Sequence, residues 1–438
     1  MMIHIAHKIE LKPNNKQKTH LRKAFGCARL AWNWGLAETE RIYKEEKRQI
    51  GSNELSVLFN SIKKERFPFV CDVNRYATKS VFRELSWAYK AFFKSGFNKP
   101  KFKKKKLNTG SFYIGGDSVV LKGKNTNLKD IKKSYCHKYY DGPCKYIFIY
   151  KLGCIKMTEL LRFNGKINNV VISQNGEKYY ASFSMEITED EYFRTHPQSK
   201  IQKGESVGID LGLKQTMTLS NGIVVRNPRI AKNAKRRLAR LQHNLDKCVY
   251  AKTKQERLKG ITFSQNYRKR CLKLNKFEKS IADKRKDFIH KVTSVLVSSF
   301  SIISIEHLYP SKLVHNHFLA GSINDVSFSR IRLYIEYKSV CRGVRIVLAP
   351  EKYPSSKTCC RCGYVRSLLS IRERVYVCPK CGLSIDRDLN ASINLEKLTG
   401  KRKIGVGHPE FTSEDLTALL SFFHKNGIAT SKVDTEIR

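Results

Sequence analysis

The chain has 438 residues, enough for several domains and a substantial buried core, and carries 84 Lys and Arg against 38 Asp and Glu, a formal charge of +46. With 41% hydrophobic and 11% aromatic residues it can offset the entropy of ordering itself, which excludes a disordered basic tail. So large a cationic excess points to a polyanionic partner and leaves ribosomal, chromatin, polymerase and nuclease classes open.

Ile3 to Leu11 alternates as a strand does, and Pro13 with Asn14-Asn15 breaks it. Leu21, Phe25, Ala28, Trp32 and Leu36 then recur at helical steps, and similar patterns run on, predicting a helical module from Asn15 to Ser95 whose aromatic stripe Trp32, Trp34, Phe92 and Phe93 reads as core in preference to a base-stacking surface. Lys99 to Lys106 reads as a basic linker ordered by phosphate contacts, with Lys101, Lys103 and Lys104 as candidate nucleic-acid ligands. From Ser111 to Ile187 the pattern is strands, with Asn164-Gly165 and Asn175-Gly176 as hairpin turns and Ile167 to Ser173 paired with Lys178 to Ile187. This predicts a small barrel or sheet domain to which the first strand returns, with the helical module inserted in it.

Ser206 to Asp210 is a short apolar strand ending in a carboxylate, followed by a strand from Thr216 to Leu219, a turn at Ser220-Asn221-Gly222 and a strand from Ile223 to Val225. Residues 229 to 296 predict a long helical hairpin broken near Gly260 and Ser264. Its basic face supplies Arg236, Arg237 and Arg240 as further candidate nucleic-acid contacts. Ser301 to Ile305 is a second apolar strand, again followed by a carboxylate, Glu306; a helix from Ser327 to Cys341 and a strand from Val344 to Leu348 come next. The nearest approach to a membrane span, Val292 to Ile305, is interrupted by five serines. The start, Met1-Met2-Ile3-His4-Ile5, lacks the charged and then apolar order of a signal peptide, giving the expectation of a cytoplasmic protein.

Eight cysteines (Cys27, Cys71, Cys136, Cys144, Cys154, Cys248, Cys271, Cys341) are scattered singly, as small core residues would be in a reducing compartment. Five crowd between Cys359 and Cys381. Cys359-x-x-Cys362 and Cys378-x-x-Cys381, each followed at once by glycine, have the spacing of two knuckles that close four thiolates around one structural zinc ion. Cys360 cannot share that geometry and is expected to be a free thiol. Lys357, Arg361, Arg366, Arg372, Arg374 and Lys380 around the ribbon point to a phosphate backbone.

Asp210 and Glu306 end apolar strands, where an ionised group is unfavourable by several kcal/mol unless it is paired or binds a cation. A third carboxylate, Asp386 or Asp388, stands at the start of a helix after the ribbon, and Asp386 has the simpler reading of a cap. Two strands and a helix supplying three carboxylates meet the needs of a two-magnesium phosphodiesterase and suggest a ribonuclease-H type of fold.

Gly208-Ile209-Asp210-Leu211-Gly212-Leu213-Lys214, Ile305-Glu306-His307-Leu308, Ser356-Lys357-Thr358-Cys359 and Asp386-Arg387-Asp388-Leu389-Asn390-Ala391 resemble the RuvC-type motifs of the TnpB (OrfB) family. That family is transposon-encoded and similar to compact type V CRISPR effectors. Phe25-Gly26-Cys27-Ala28-Arg29 with Trp32-Asn33, Gly153-Cys154-Ile155-Lys156, Tyr179-Tyr180-Ala181-Ser182-Phe183 and Arg285-Lys286-Asp287-Phe288 carry the resemblance to about Lys397. The resemblance implies a multidomain α+β protein. A wedge-like β-domain takes residues 1–12 and 108–200, a helical recognition domain with basic linker 13–107, a RuvC/RNase H-like nuclease domain 201–350 and 383–398, an inserted zinc ribbon 351–382 and a tail 399–438.

It further implies an RNA-guided DNA endonuclease. Such a protein works as a monomeric ribonucleoprotein, binding a guide RNA transcribed from the element's end and cutting double-stranded target DNA beside a short adjacent motif. Asp210, Glu306 and Asp388 become the catalytic carboxylates holding two Mg²⁺, the family motif choosing Asp388, and Cys359, Cys362, Cys378 and Cys381 the ligands of one structural Zn²⁺. Two other readings stand beside it: a non-catalytic RNA-guided DNA-binding repressor, and a transposase acting directly on element ends. Departures from the family pattern are His307-Leu308-Tyr309-Pro310 after the glutamate, Cys360 where serine is common, and an inserted stretch around Cys248 to Thr262. The basic patch Lys401-Arg402-Lys403 leads to a helix from Ser413 to Phe423, ended by Gly427, whose role the sequence leaves open.

Overall fold

The computed structural model describes residues 2–95, 98–104, 109–116, 119–122, 139–140, 145–196, 204–248, 264–307, 317–370, 372–400 and 413–433. Outside the described residues lie Cys136 and Cys144, Lys105 and Lys106 of the linker, residues 249–262 of the insertion with the break at Gly260, Leu308-Tyr309-Pro310, and Lys401-Arg402-Lys403. The chain divides into two compact units, Met1–Pro197 and Gln198–Arg438.

In the first unit, strand β1 (Met2–Lys12) leads into helix α1 (Asn15–Glu46). Asn14 starts the helix with a reciprocal cap: its Oδ1 accepts from the Gln17 backbone N–H at 2.9 Å, and Gln17 Oε1 accepts from the Asn14 N–H at 3.0 Å. Helices α2 (Ser52–Arg66) and α3 (Tyr76–Ser95) pack on α1 around Phe59, Phe82 and Leu36. The chain then forms β2 (Thr109–Gly115), β3 (Val120–Lys122), β4 (Tyr139–Tyr140), β5 (Tyr146–Ile149), β6 (Gly153–Met157), β7 (Gly165–Asn175), β8 (Lys178–Thr188) and a short helix α4 (Glu189–Thr195). The strands order as β2-β7-β8-β1-β6-β5-β3, with β4 also on β7. Because β1 lies between β8 and β6, the three helices leave the sheet after its first strand and return to it at β2. Among the described residues the end strands β2 and β3 do not pair with each other, so the sheet is open there.

Four expectations change here. Asn164-Gly165 makes no hairpin: Gly165 opens β7, where a Cβ would lie 2.5 Å from the Glu186 carbonyl oxygen, so strand proximity explains the glycine. Trp32 is buried and Trp34 packs against Phe59 and Phe82, but Phe93 is 63% exposed. The linker is held by protein contacts: Trp32 Nε1 donates to the Lys101 carbonyl at 3.0 Å, Asn33 pairs with both backbone groups of Lys103, and Lys103 Nζ lies 3.7 Å from the centroid of the Trp32 ring. Lys103 is therefore seated on an indole, with burial lowering its pKa. Of the scattered cysteines, Cys27 and Cys248 are buried, Cys154, Cys271 and Cys341 are half-buried, and Cys71 is exposed.

The second unit is built on β9 (Gly204–Leu211), β10 (Gln215–Leu219) and β11 (Ile223–Arg226), an antiparallel meander. Helices α5 (Ile230–Asp246) and α6 (Gln265–Ser299) follow, then β12 (Phe300–Ile305), α7 (His317–Val326), α8 (Phe328–Arg342) and β13 (Arg345–Leu348). The ribbon holds β14 (Val375–Val377) and β15 (Ser384–Asp386), and the chain continues through α9 (Arg387–Lys397), α10 (Ser413–Lys425) and β16 (Thr430–Lys432). The main sheet runs β13-β12-β9-β10-β11-β16, with β12 parallel to both β9 and β13.

Helix α5 buries none of its residues and runs antiparallel to α6. Arg237 stands over the Phe277 ring at 4.7 Å and Arg270 donates to the Asn244 carbonyl. Arg236, Arg237 and Arg240 are all exposed. The C-terminal segment is part of the core: β16 extends the main sheet beside β11, and Leu419, Phe423 and Ile428 are buried with Val225 and Leu296 in one apolar cluster. No helix among the described residues is long and apolar enough to cross a membrane.

Candidate active site and metal centre

Register places the carboxylates. On the parallel strands β9 and β12, Ile209 pairs with Ile305, so the next residues, Asp210 and Glu306, emerge together at the C-terminal edge of the sheet. Gly208 then admits helix α9: a Cβ there would meet the Ser392 carbonyl oxygen at 2.0 Å and the Glu396 nitrogen at 2.5 Å. Ser206, two residues earlier on the same face, donates to Glu396 Oε1 at 3.0 Å. Two residues of strand advance about 6.6 Å and four residues of helix about 6 Å, so the facing pairs 206 with 396 and 208 with 392 continue to 210 with 388.

The carboxylates act on one another electrostatically. Burial raises the Asp210 carboxyl well above its usual range, and the negative charges of Glu306, Asp388 and Asp386 raise it further while Arg387 opposes them. Burial also raises Glu306, with Asp388 adding to the rise and a hydrogen bond from Ser355 Oγ at 2.7 Å opposing it. Asp386 is the cap of α9, its Oδ1 accepting from the backbone N–H groups of Asp388 at 2.9 Å and Leu389 at 3.0 Å. Asp388 meets Arg387 at 3.4 Å. Of the two, Asp388 acts on Asp210 more strongly than the capping Asp386.

The four cysteines converge. Their sulfurs all lie within 4.8 Å of one another, a spacing that could hold one metal ion. Cys359 and Cys381 sulfurs are 3.6 Å apart and Cys362 and Cys378 sulfurs 3.5 Å. A tetrahedron of ~2.3 Å metal–sulfur bonds has edges of ~3.8 Å, whereas a disulfide needs ~2.05 Å, so the set fits an ion and not two bridges.

The two knuckles have the same backbone: Gly363 N–H donates to the Cys359 carbonyl and Gly382 N–H to the Cys378 carbonyl, both at 3.0 Å, with the glycines at φ +75° and +70°. Cys360 is outside the group. Its backbone N–H donates to Asn390 Oδ1 at 2.9 Å and its carbonyl accepts from Lys397 Nζ.

Sequence reasoning missed the link between the two centres. Asn390 Nδ2 donates to the Thr358 carbonyl at 2.7 Å, and Asn394 Nδ2 to the carbonyls of Thr358 at 2.6 Å and Ser355 at 2.8 Å. Both asparagines are buried. The helix that carries Asp388 thus clamps the loop entering the ribbon, and that loop carries Ser355 to Glu306. Two asparagines four residues apart on one helix face were the available signal; Ser355 lay unmarked beside Ser356.

Fold and cysteines together define a mixed α/β multidomain protein with a metal-type four-cysteine ribbon. Three family models match in chain order: a helix-turn-helix domain of the OrfB type at residues 1–48, the OrfB model described as "Probable transposase" at 182–317, and the Cas12f1-like TNB domain at 328–395. Over these three segments the chain is similar to the OrfB (TnpB-like) family. In this chain the first matched segment is a strand and one unbroken helix.

A Streptomyces pristinaespiralis protein named "Putative RNA-guided DNA endonuclease" is 28% identical over 393 residues, covering 89% of this chain and 88% of that protein. The Escherichia coli K12 "Putative RNA-guided DNA endonuclease InsQ" is 26% identical over 407 residues, covering 89% and 91%. The solved structure of the mini-RNA-guided endonuclease CRISPR-Cas_phi3 overlaps 92% of this chain and 93% of its own at 10% identity and a TM-score of 0.48.

Proposed function

We propose that the chain is an RNA-guided DNA endonuclease whose second unit is a RuvC-type nuclease, with Asp210, Glu306 and Asp388 as its catalytic carboxylates. The observation that carries this is the strand and helix register that brings those three side chains to one edge of the sheet. The strand order, a meander continued by two parallel strands, supports the ribonuclease-H type of fold, and the two curated relatives carry names of the same activity.

Hard oxygen donors suit magnesium, and the mutual repulsion that raises Asp210 is what a divalent cation would relieve. Bound there, two magnesium ions would lower the pKa of the attacking water and stabilise the leaving oxygen of the phosphodiester. Ser355 fixes one oxygen of Glu306, leaving the other turned to the site, and the Asp386 cap holds the first turn of α9 so that Asp388 keeps its place. Zn²⁺ in the four-cysteine set would be structural, since no coordination position stays open.

The partners proposed are a guide RNA and double-stranded target DNA in a monomeric ribonucleoprotein. The +46 charge supplies contacts to two backbones while base pairing reads the sequence. In this division residues 1–12 and 108–200 form the wedge and 13–107 the recognition module, while 201–350 with 383–398 form the nuclease and 351–382 the ribbon. Lys101, Lys104, Arg236, Arg237 and Arg240 are the phosphate contacts, with Lys103 held back on Trp32.

A test is to purify Glu306→Gln and wild type with the element's transcript. Both should retain one discrete RNA and bind matched DNA, and only wild type should cut it. Absence of any specific RNA would remove the guided reading and favour direct action on element ends.

A further inference from the structure

Helices α1, α2 and α3 enclose a cavity of about 510 Å³ that no part of the proposed nuclease chemistry uses. Tyr43, Leu55, Leu85, Tyr89, Phe92 and Phe93 are among its lining, a size and apolar character typical of ligand pockets. Its aromatic wall is open to solvent: Phe93 is 63% exposed and Tyr43 56%. Tyr89 and Phe93, one turn apart on α3, lie near parallel, with centroids 6.4 Å apart at 21°, and Phe92 tilts against Phe93 at 5.0 Å.

The charges at the mouth sort into two sets. Lys99 is paired with Glu40 at 2.8 Å, and Arg48 with Glu54 at 2.8 Å and Glu46 at 2.6 Å. Lys44 and Lys90, exposed on α1 and α3 and also lining the cavity, have no carboxylate partner among the described residues. An apolar pocket with presented ring faces and two unneutralised cations is complementary to a flat heteroaromatic ring that carries a phosphate. A protein helix would satisfy the rings but leave both lysines facing no anion, and a chain of +46 favours the polyanion.

We propose that this cavity binds one unpaired nucleotide of a single strand, its base stacked on the Tyr89 and Phe93 rings and its phosphate met by Lys44 and Lys90. The inference rests on the nucleic-acid function proposed above and adds to it a stacking site remote from the carboxylates. Every base has a π-face, so the site holds a strand in position without reading its sequence.

The test uses the full chain with short single strands bearing 5-iodouridine (RNA) or 5-iododeoxyuridine (DNA), cross-linked by light and mapped by mass spectrometry. Adducts are expected on Tyr89, Phe92 or Phe93, competed by a base-bearing strand but not by an abasic strand with the same number of phosphates. An RNA-only adduct assigns the nucleotide to the guide, a DNA-only adduct to the displaced strand, and either supports the site.

In a Tyr89→Leu/Phe93→Leu variant, which keeps apolar side chains on the helix, affinity for the base-bearing strand should fall about tenfold and that for the abasic strand stay constant. A circular-dichroism melt matching wild type shows that the variant is folded. If the chain binds and cuts DNA but yields adducts only off α3, or if both strands weaken equally, the pocket is not a base site and the nuclease reading stands. If it binds neither RNA nor DNA, both fall.

Discussion

Gly208 shows how one residue sets the distance between the strand that carries Asp210 and the helix that carries Asp388. A methyl at 2.0 Å from a backbone carbonyl oxygen cannot be relieved by a side-chain rotation, so Gly208→Ala should push α9 outward and lower both stability and cleavage, by ~2 kcal/mol or more in a denaturant melt. Gly212→Ala, where the nearest atom is the Gln215 carbonyl oxygen at 2.9 Å, should do less because it does not face α9.

Asp210 gives a pH signature in protein free of magnesium. Its folded carboxyl holds the proton more tightly than the unfolded chain does. Stability from this group is therefore full below the usual Asp range and is lost as pH rises through the raised value. Magnesium should restore it, by about 2.7 kcal/mol at a hundred times the dissociation constant, and Asp210→Asn should abolish the response in a thermal melt at neutral pH. A magnesium effect of equal size in wild type and Asp210→Asn would place the ion elsewhere.

At the scale of elements, the ribbon and the carboxylate edge share helix α9. Asn390 and Asn394 tie the ribbon's entry loop to it, and Ser355 on that loop holds Glu306. Cys378→Ser should release zinc and weaken cleavage more than it weakens DNA binding. Ser355→Ala should lower cleavage with the zinc content unchanged, since it removes one hydrogen bond to a charged group, worth ~1.5–3 kcal/mol. Equal loss of binding and cleavage in Ser355→Ala would mean that the serine supports the fold at large and not Glu306.

The C-terminal elements belong to the same argument. Phe423 is fully buried, and Phe423→Ala should lower stability by ~3–5 kcal/mol, which an unpacked tail would not do.

Much of this architecture could be read in advance from pattern. Asp210 and Glu306 stood out because an apolar strand ending in a carboxylate is an unfavourable placement without a cation or a partner, and the cysteine pairs stood out by spacing. What escaped depended on contacts distant in sequence. Gly165 and Gly208 look alike as single glycines, and only the neighbouring backbone shows that each allows a close approach. Thr430-Ser431-Lys432 has no apolar alternation, and it becomes a strand through its ladder to Ile223, Val224 and Val225. Lys103 read as a phosphate ligand because its indole partner lies about 70 positions earlier on α1.

On the scale of the whole molecule, a small set of acidic side chains sits inside a chain of net charge +46. Binding to guide and target should weaken steeply between about 50 and 200 mM salt, as expected when many phosphates are neutralised. The cleavage proposed for the half-buried carboxylates should respond to magnesium and much less to salt once the complex has formed.

The most direct measurement loads the chain with its co-purified RNA and offers a DNA matched to that RNA in the presence of magnesium, beside a mismatched DNA and an Asp210→Ala preparation. The account requires wild type to cut the matched DNA alone and Asp210→Ala to bind it uncut. Equal cutting by wild type and Asp210→Ala, or equal cutting of matched and mismatched DNA, would contradict it.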